Sequence, residues 1–452
     1  FFSKSDNNNR KLSFSVNTKK LSSEKKFIDL QEKINDAIFS GKEIVNIPAG
    51  KYYLKSAPVR INRLSDFVIA GEGKEKTTIV NPYPLRATFN IKDSRGITFK
   101  NLSIDYDPLP FTQGQITNID TIGKRIEVTF KILKGYSLLN SSHFQNKNKY
   151  RHINCYEQES LNRIGGHIDA SIIEKISDKR GKFTLGEGWK TKLSENDFIA
   201  ITLKGSDGIA AKFSGELKFH NTALYAAPNR GINSWYTKKG VNEYINHSTV
   251  PGPKPINAVY PRLISVNKDA NDFYWGPGSV VMEDTEIGYA GDDGLHMYGP
   301  QNLKIVKIEN DRTVVVISHI SNNFSALKKQ GYLTNGSPVS AVRSYDVKPL
   351  ISNKPLKSFE VINKFNQHDL PSRLQNNRSW AREKKYIEAG RFVFKEPVAA
   401  DLNLGDILLP EMSYAESFEV SNCYFHNIRG RGVISGARNG IIEDSRIKNT
   451  TM

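Results

Sequence analysis

Four short segments of this chain fall into register when written one under another: Asn221-Thr222-Ala223-Leu224, Asp284-Thr285-Glu286-Ile287, Asn422-Cys423-Tyr424-Phe425 and Asp444-Ser445-Arg446-Ile447. Each has Asn or Asp, two variable positions, then an apolar residue. The first three continue in register to Arg230-Gly231-Ile232, Asp293-Gly294-Leu295 and Arg431-Gly432-Val433, and Asn101-Leu102-Ser103-Ile104 begins the same way. Self-similarity of this kind marks a stack of repeated units. An Asn or Asp that turns the chain tightly, followed by a core-facing apolar side chain, suits each turn of a parallel β-helix.

The rest of the chain can be laid out around that ladder. Residues 1–26 are rich in Asn, Ser and Lys and read as a flexible N-terminal segment. From Phe27 to Phe39 the residues Phe27, Ile28, Leu30, Ile34, Ala37 and Ile38 share one face at helical spacing, and Gly41 stops this capping helix. Short β-rich runs broken by Gly, Pro and Asn follow, a pattern closer to a coiled sheet than to a βα alternation. Coils are expected over 27–106, over 201–298 with the active site, and over 410–452. Residues 107–200 and 299–409 interrupt them with alternating strands, and each is expected to form a small antiparallel β-barrel. In the repeat register Met452 aligns with Gly430, so further coils are expected beyond it.

Composition narrows the partners. The net charge is +17 and the isoelectric point about 9.5, which favours an anionic partner such as an acidic or sulfated polysaccharide, or simply a solubilising surface. The lysines are scattered rather than blocked, which argues against nucleic acid. No run approaches the roughly 18 apolar residues of a membrane span. Two distant cysteines, Cys155 and Cys423, exclude a disulfide scaffold and a Cys-based zinc site. A polar, basic start at Phe1 fits a mature secreted or periplasmic protein.

The chemistry concentrates in Gly291-Asp292-Asp293-Gly294-Leu295-His296. Asp-Asp-Gly is also a common turn, but coil register gives these acids neighbours. Residues one coil apart stack about 4.8 Å from each other. Asp269 precedes Asp292 by 23 positions and Asp293 by 24, either being a plausible coil length. Skipping the inserted segment, the register sets Arg431 beside Asp293 and Arg429 beside Gly291, and Arg230 shares the column of Asp269. Three carboxylates flanked by arginines suit glycoside hydrolysis, one donating a proton to the leaving oxygen and another activating water or attacking directly. Adjacent strand residues point to opposite faces, so presenting both Asp292 and Asp293 calls for a corner or bulge at Gly291 or Gly294. The same acids can instead cap corners and pair with Arg431, or hold calcium through their oxygens. His296 is a candidate substrate contact. Trp235, Tyr236, Tyr274 and Trp275 can stack on sugars or fill the core, and Trp275 is the one expected to touch substrate.

Four stretches carry a family resemblance: 104–114 around Asp105-Tyr106-Asp107-Pro108, Leu224-Tyr225-Ala226-Ala227-Pro228, 262–269 ending in Asn267-Lys268-Asp269, and Gly291-Asp292-Asp293-Gly294. Over roughly residues 27–452 the chain resembles pectin-lyase-like, right-handed parallel β-helix proteins, and within them the exo-acting α-1,3-galactosidases of glycoside hydrolase family 110. The resemblance implies an all-β, right-handed parallel β-helix with inserted barrels. It further implies an inverting mechanism, no metal or other cofactor, and a catalytic trio falling on Asp269, Asp292 and Asp293. Asp272 lies close to Asp269 and rivals it, and the chain ends sooner than the family pattern leads one to expect. The expected function is hydrolysis of α-galactosidic linkages in a galactose-containing or sulfated glycan, with Arg230, His296, Arg429, Arg431 and Trp275 binding substrate. The alternatives are a polysaccharide lyase with Asp-bound calcium and a non-catalytic glycan-binding β-helix.

Overall fold

Each coil of the chain passes through three rows of parallel strands in the computed structural model, which describes residues 25–298, 303–318, 324–370 and 386–450. Thr98–Tyr106 and Lys218–Leu224 are long enough to span two rows. Later coils divide the same path in two, as in Gly278–Glu283 then Glu286–Gly288, and Ser417–Ser421 then Tyr424–Ile428. These strands belong to one fifteen-stranded sheet. The third row is a separate seven-stranded parallel sheet: Val59–Asn62, Phe89–Lys92, Ile209–Lys212, Ile232–Trp235, Asn271–Tyr274, Leu295–Tyr298 and Val433–Ser435. The chain is therefore an all-β parallel β-helix.

The repeated Asn or Asp stands where the first row gives way to the second. Asn101, Asn221, Asn246, Asp284, Asn422 and Asp444 all have φ between 47° and 56°, a left-handed conformation that costs most L-residues about 1–2 kcal/mol. Asn and Asp tolerate it best because their short polar side chains bond locally. Here they also bond to one another. Asn221 Nδ2 donates to Asn101 Oδ1 at 2.8 Å, Asn246 Nδ2 donates to Asn221 Oδ1 at 3.1 Å, and Asn422 Nδ2 donates to Asp284 Oδ1. Three positions on, Ile104, Leu224, Thr249, Ile287, Phe425 and Ile447 are paired in one continuous register. Thr249 explains why the Asn246 coil does not stand out in the sequence: it holds the place that the other coils give to an apolar residue.

Inside the coils, Phe99 stacks on Phe219 with centroids 5.3 Å apart and Phe219 on Tyr244 at 5.1 Å. The helix Leu30–Phe39 buries Leu30, Ile34 and Ala37 in the same core and covers its N-terminal end. It begins later than its hydrophobic pattern suggests because Asp29 caps it, accepting from Glu32 N at 3.1 Å. Phe27 and Ile28 belong instead to the strand Lys26–Ile28, paired with Gly50–Leu54.

The two insertions differ in kind. The strands between Phe111 and Leu203 form an antiparallel sheet of seven with Arg163–Asp169 and Glu174–Ser177 at its ends, so the first is an open sheet rather than the expected barrel. The second, from Leu303–Asn310 to Ile407–Pro410, is a closed antiparallel barrel. The N-terminal segment through residue 24, the alignment of Met452 with Gly430, and parts of 299–409 lie outside the described residues. Among the described residues no helix is long and apolar enough to cross a membrane.

If the corner conformation sets the residue type, Asn221→Ala should destabilise the protein by about 1–3 kcal/mol, from the left-handed backbone and the lost ladder bonds. Asn221→Gly should cost clearly less, because glycine keeps the conformation. Urea unfolding of both variants checks this, and equal losses would refute the conformational part of the account.

Candidate functional site

The third row puts the sequence-predicted acids together. Asn271 pairs with Leu295 and Leu295 with Val433, while Ile209 pairs with Ile232 and Ile232 with Asn271. Two positions before these residues the register gives a column of corner residues: Asp207, Arg230, Asp269, Asp293 and Arg431. The backbone agrees, with Gly231 N donating to Asp269 O, Ala270 N to Asp293 O and Gly294 N to Arg431 O. Asp207 was not singled out from the sequence, although Asp207-Gly208-Ile209 repeats the pattern of Arg230-Gly231-Ile232 and Asp293-Gly294-Leu295.

Each aspartate of the column uses one oxygen to hold the next coil. Asp207 Oδ1 accepts from Arg230 N at 3.3 Å, Asp269 Oδ1 from Asp293 N at 3.2 Å, and Asp293 Oδ1 from Arg431 N at 2.7 Å. The corner-capping role weighed for these acids is thus real. The second oxygens face other groups: Asp269 Oδ2 lies 3.3 Å from Arg230 Nε and 3.8 Å from Lys268 Nζ, and Asp293 Oδ2 lies 3.5 Å from His296 Nδ1. One ligand-type atom from each of Asp269, Asp293 and His296 fits within 4.8 Å of the others. That spacing is compact enough for a cation, but Arg230, Lys268 and Arg431 already stand against the same carboxylates.

Asp292 and Asp293 lie in the corner before the strand Leu295–Tyr298, not within it, and this is how both carboxylates escape the alternation of a strand. The corner is tight: a Cβ at Gly291 would come within 2.5 Å of the Asn267 carbonyl oxygen, and one at Gly430 would strike Asp293 Oδ1. Asp292 is the most open of the trio, its side chain 27% exposed and its Oδ2 2.7 Å from Arg429 Nη2. Burial pushes its carboxyl up, with Asp269 and Asp293 adding to the rise and Arg429 opposing it. Arg429 also donates to the Gly291 carbonyl and touches His167 of the first insertion. Burial pushes the His296 imidazole down.

Asp272 belongs to a different column. It pairs with Asn233 before it and His296 after it on the strand, and is fully buried against Arg230. Burial holds its carboxyl well above the usual range, with Arg230 opposing. It therefore anchors Arg230, which is wedged among Asp207, Asp269 and Asp272 rather than extended to solvent. Trp275 is also placed elsewhere. At 2% exposure it packs beside Tyr236 in the apolar cluster shared with the second insertion, out of reach of a sugar. The aromatic surface next to the acids comes instead from the half-buried Trp235 and Tyr298 on either side of the buried Tyr274, Trp235 stacked on it at 4.4 Å and Tyr298 tilted against it at 4.5 Å, with the His296 ring on Tyr298 at 3.6 Å.

Both insertions border this face. Asn267 Nδ2 donates to the carbonyls of Pro110 and Leu203 at the root of the first. Trp235 and Tyr298 pack against the apolar cluster of the second. Two buried polar atoms on the coil side of the face, Asn233 Oδ1 and Asp272 Oδ1, have no hydrogen-bond partner among the described residues. A polar ligand is one way such groups are satisfied.

No protein-family model and no curated protein matches the chain. Solved structures that it resembles include the tailspike of Acinetobacter baumannii bacteriophage AP22 in complex with an A. baumannii capsular saccharide, at 14% identity, TM-score 0.13, covering 63% of this chain and 45% of that one. Another is the tailspike of Pseudomonas phage LKA1, at 11% identity, TM-score 0.14, covering 59% of this chain and 36% of that one. The chain thus spans less than half the length of either tailspike.

Proposed function

We propose that the chain is a glycoside hydrolase whose general acid is Asp292 and whose base is the Asp269–Asp293 pair. The observation that carries this reading is the corner Gly291–Gly294, which sets a half-open carboxyl with a raised pKa beside two buried, cation-paired carboxylates. Paired acids with different environments are how glycosidic bonds are cut at moderate pH. One oxygen of Asp269 and one of Asp293 lie within 4.8 Å of one another. They are spaced to share one water rather than to straddle a sugar. Water attacks the anomeric carbon as its proton passes to this pair, and Asp292 protonates the departing oxygen. The configuration inverts. Tyr298 and Trp235 give a stacking surface beside the acids, and an α-galactoside at the chain end is the substrate we test first. The reaction uses no metal.

The corner-capping bonds of Asp269 and Asp293 favour a second reading, a glycan-binding β-helix in which these acids only hold the coils. Turnover decides between them. On a panel of α-galactosides followed by reducing-sugar release, Asp292→Asn should lower kcat by about 10²–10⁴-fold, with the fold kept because Asn retains the shape and the Arg429 contact. A wild type that binds the panel without cleaving it supports the second reading.

The pH profile carries a sign. Asp292 must hold its proton to act, so kcat falls as pH rises through a pKa that burial and the neighbouring acids have raised. That alkaline limb should vanish from the residual activity of Asp292→Asn.

Chelation is a further check. Hydrolysis should persist in EDTA, whereas a calcium-dependent, ultraviolet-absorbing unsaturated product would mark a lyase and overturn the proposal.

A further inference from the structure

The open sheet of the first insertion turns a basic wall toward the acids. On the strand Tyr150–Tyr156, Tyr150 pairs with Leu203 and Ile153 with Ile201, so Arg151 and His152 together oppose Thr202 alone. This is a β-bulge, which re-aims side chains and recurs beside active sites. Thr202 fills it, its hydroxyl accepting from His152 N and donating to His152 O, both at 3.2 Å. On the other side Ile153 pairs with Ile168 and Cys155 with Ile164, leaving Gly165, Gly166 and His167 opposite Asn154. Gly165, with φ +60°, takes the left-handed turn that this second irregularity needs.

The two bulges gather three guanidiniums and two imidazoles. The His152 and His167 rings lie 4.3 Å apart, and Arg429 bridges from His167 to Asp292. Arg163 is held by neutral acceptors, Asn154 Oδ1 at 2.7 Å and the Gly165 carbonyl at 3.3 Å. Arg151 Nε is buried with no hydrogen-bond partner among the described residues, as is His152 Nδ1. Arg151 is next to His152 in the bulge, and through the His152–His167 ring contact and Arg429 this wall reaches Asp292. Burial, with His167, Arg429, Arg151 and Arg163 adding to it, pushes the His152 imidazole down to about 3. The carboxylates of the strip are already matched by Arg230, Lys268, Arg429 and Arg431. Arg163 is bonded to neutral oxygens, and the buried Arg151 Nε has no hydrogen-bond partner among the described residues.

We propose that Arg151, Arg163 and the His152–His167 pair form a subsite for an anionic substituent, a sulfate ester or a carboxylate, on the sugar bound beside Asp292. The proposal names the substrate class of the site and rests on the hydrolase reading. Arginine suits the task because its planar fork matches the oxygens of either group. Arg151 supplies recognition, Arg163 supplies field, and the neutral imidazoles supply shape.

Binding of galactose, galactose 6-sulfate, galacturonate and inorganic sulfate, measured by calorimetry on the whole chain, tests this without turnover. At least one of the two anionic sugars should bind ten-fold or more tighter than galactose, and the tighter of the two identifies sulfate ester or carboxylate as the group. Inorganic sulfate should compete with it and not with galactose. Arg151→Gln removes a guanidinium whose buried Nε bonds to nothing among the described residues, so the fold should persist. It should erase most of the preference while sparing galactose, and Arg151→Lys should restore part of it. Equal binding of neutral and anionic sugars, a preference that survives Arg151→Gln, or no binding of any probe overturns the subsite. A preference found together with turnover that ignores Asp292→Asn would instead overturn the hydrolase reading and leave the subsite standing.

Discussion

The left-handed Asn/Asp corner is the constraint on which the rest of the molecule depends. A parallel sheet has no hairpin to fix its register, and slipping by one residue would turn every side chain to the wrong face. Here a conformation that few residues accept, joined by side-chain amides from Asn101 through Asn221 to Asn246 and again from Asp284 to Asn422, pins neighbouring coils together. The aromatic stack of Phe99, Phe219 and Tyr244 and the corner column of the third row are then consequences of counting along the chain from that pin.

In the corner column, Asp207, Arg230, Asp269, Asp293 and Arg431 alternate in sign except at one step. Like charges directly opposite on neighbouring strands are destabilising, and the exception, Asp269 beside Asp293, is where the half-open Asp292 also lies. The cost is moderated by Lys268, by Arg431 and by the backbone N–H that each acid accepts. An unfavourable step retained at a tight glycine corner, beside stacked aromatic rings and unpartnered polar atoms, sets this place apart from the corners that only turn the chain.

The coils were legible in the sequence because they repeat. The register derived from Asn221, Asp284 and Asn422 places Arg230, Asp293 and Arg431 in the single column that the structure shows, and a spacing of 23 or 24 residues sets Asp269 beside the Asp292–Asp293 pair. Asp207 carried the same signature in Asp207-Gly208-Ile209 and could have been found by extending the comparison one coil earlier. Asn246 was hidden by Thr249. The insertions have no repeat, so alternating strands could not distinguish an open sheet from a closed barrel. Nor could they show that Arg151 and His152 share a bulge opposite Thr202, since a bulge is set by pairing between residues about fifty positions apart. Trp275 was misplaced for a related reason: burial by the second insertion depends on a domain packed over the coil, not on the coil's own pattern.

Capping and catalysis need not compete for the same aspartates. A carboxylate has two oxygens and about four acceptor positions. Asp269 and Asp293 each commit Oδ1 to the backbone of the next coil and keep Oδ2 toward Arg230, Lys268 or His296. The bond that fixes the coil also fixes the carboxylate plane, so the second oxygen is held in position by the fold itself. Asp292, whose side chain caps no corner, is left more exposed and its protonation is set by its surroundings. The division follows from the corner geometry: one residue is turned out at Gly291, and the next is tied in before Gly294. A β-helix corner can therefore present two adjacent acids with different freedom and different pKa, which the faces of a flat strand would keep apart.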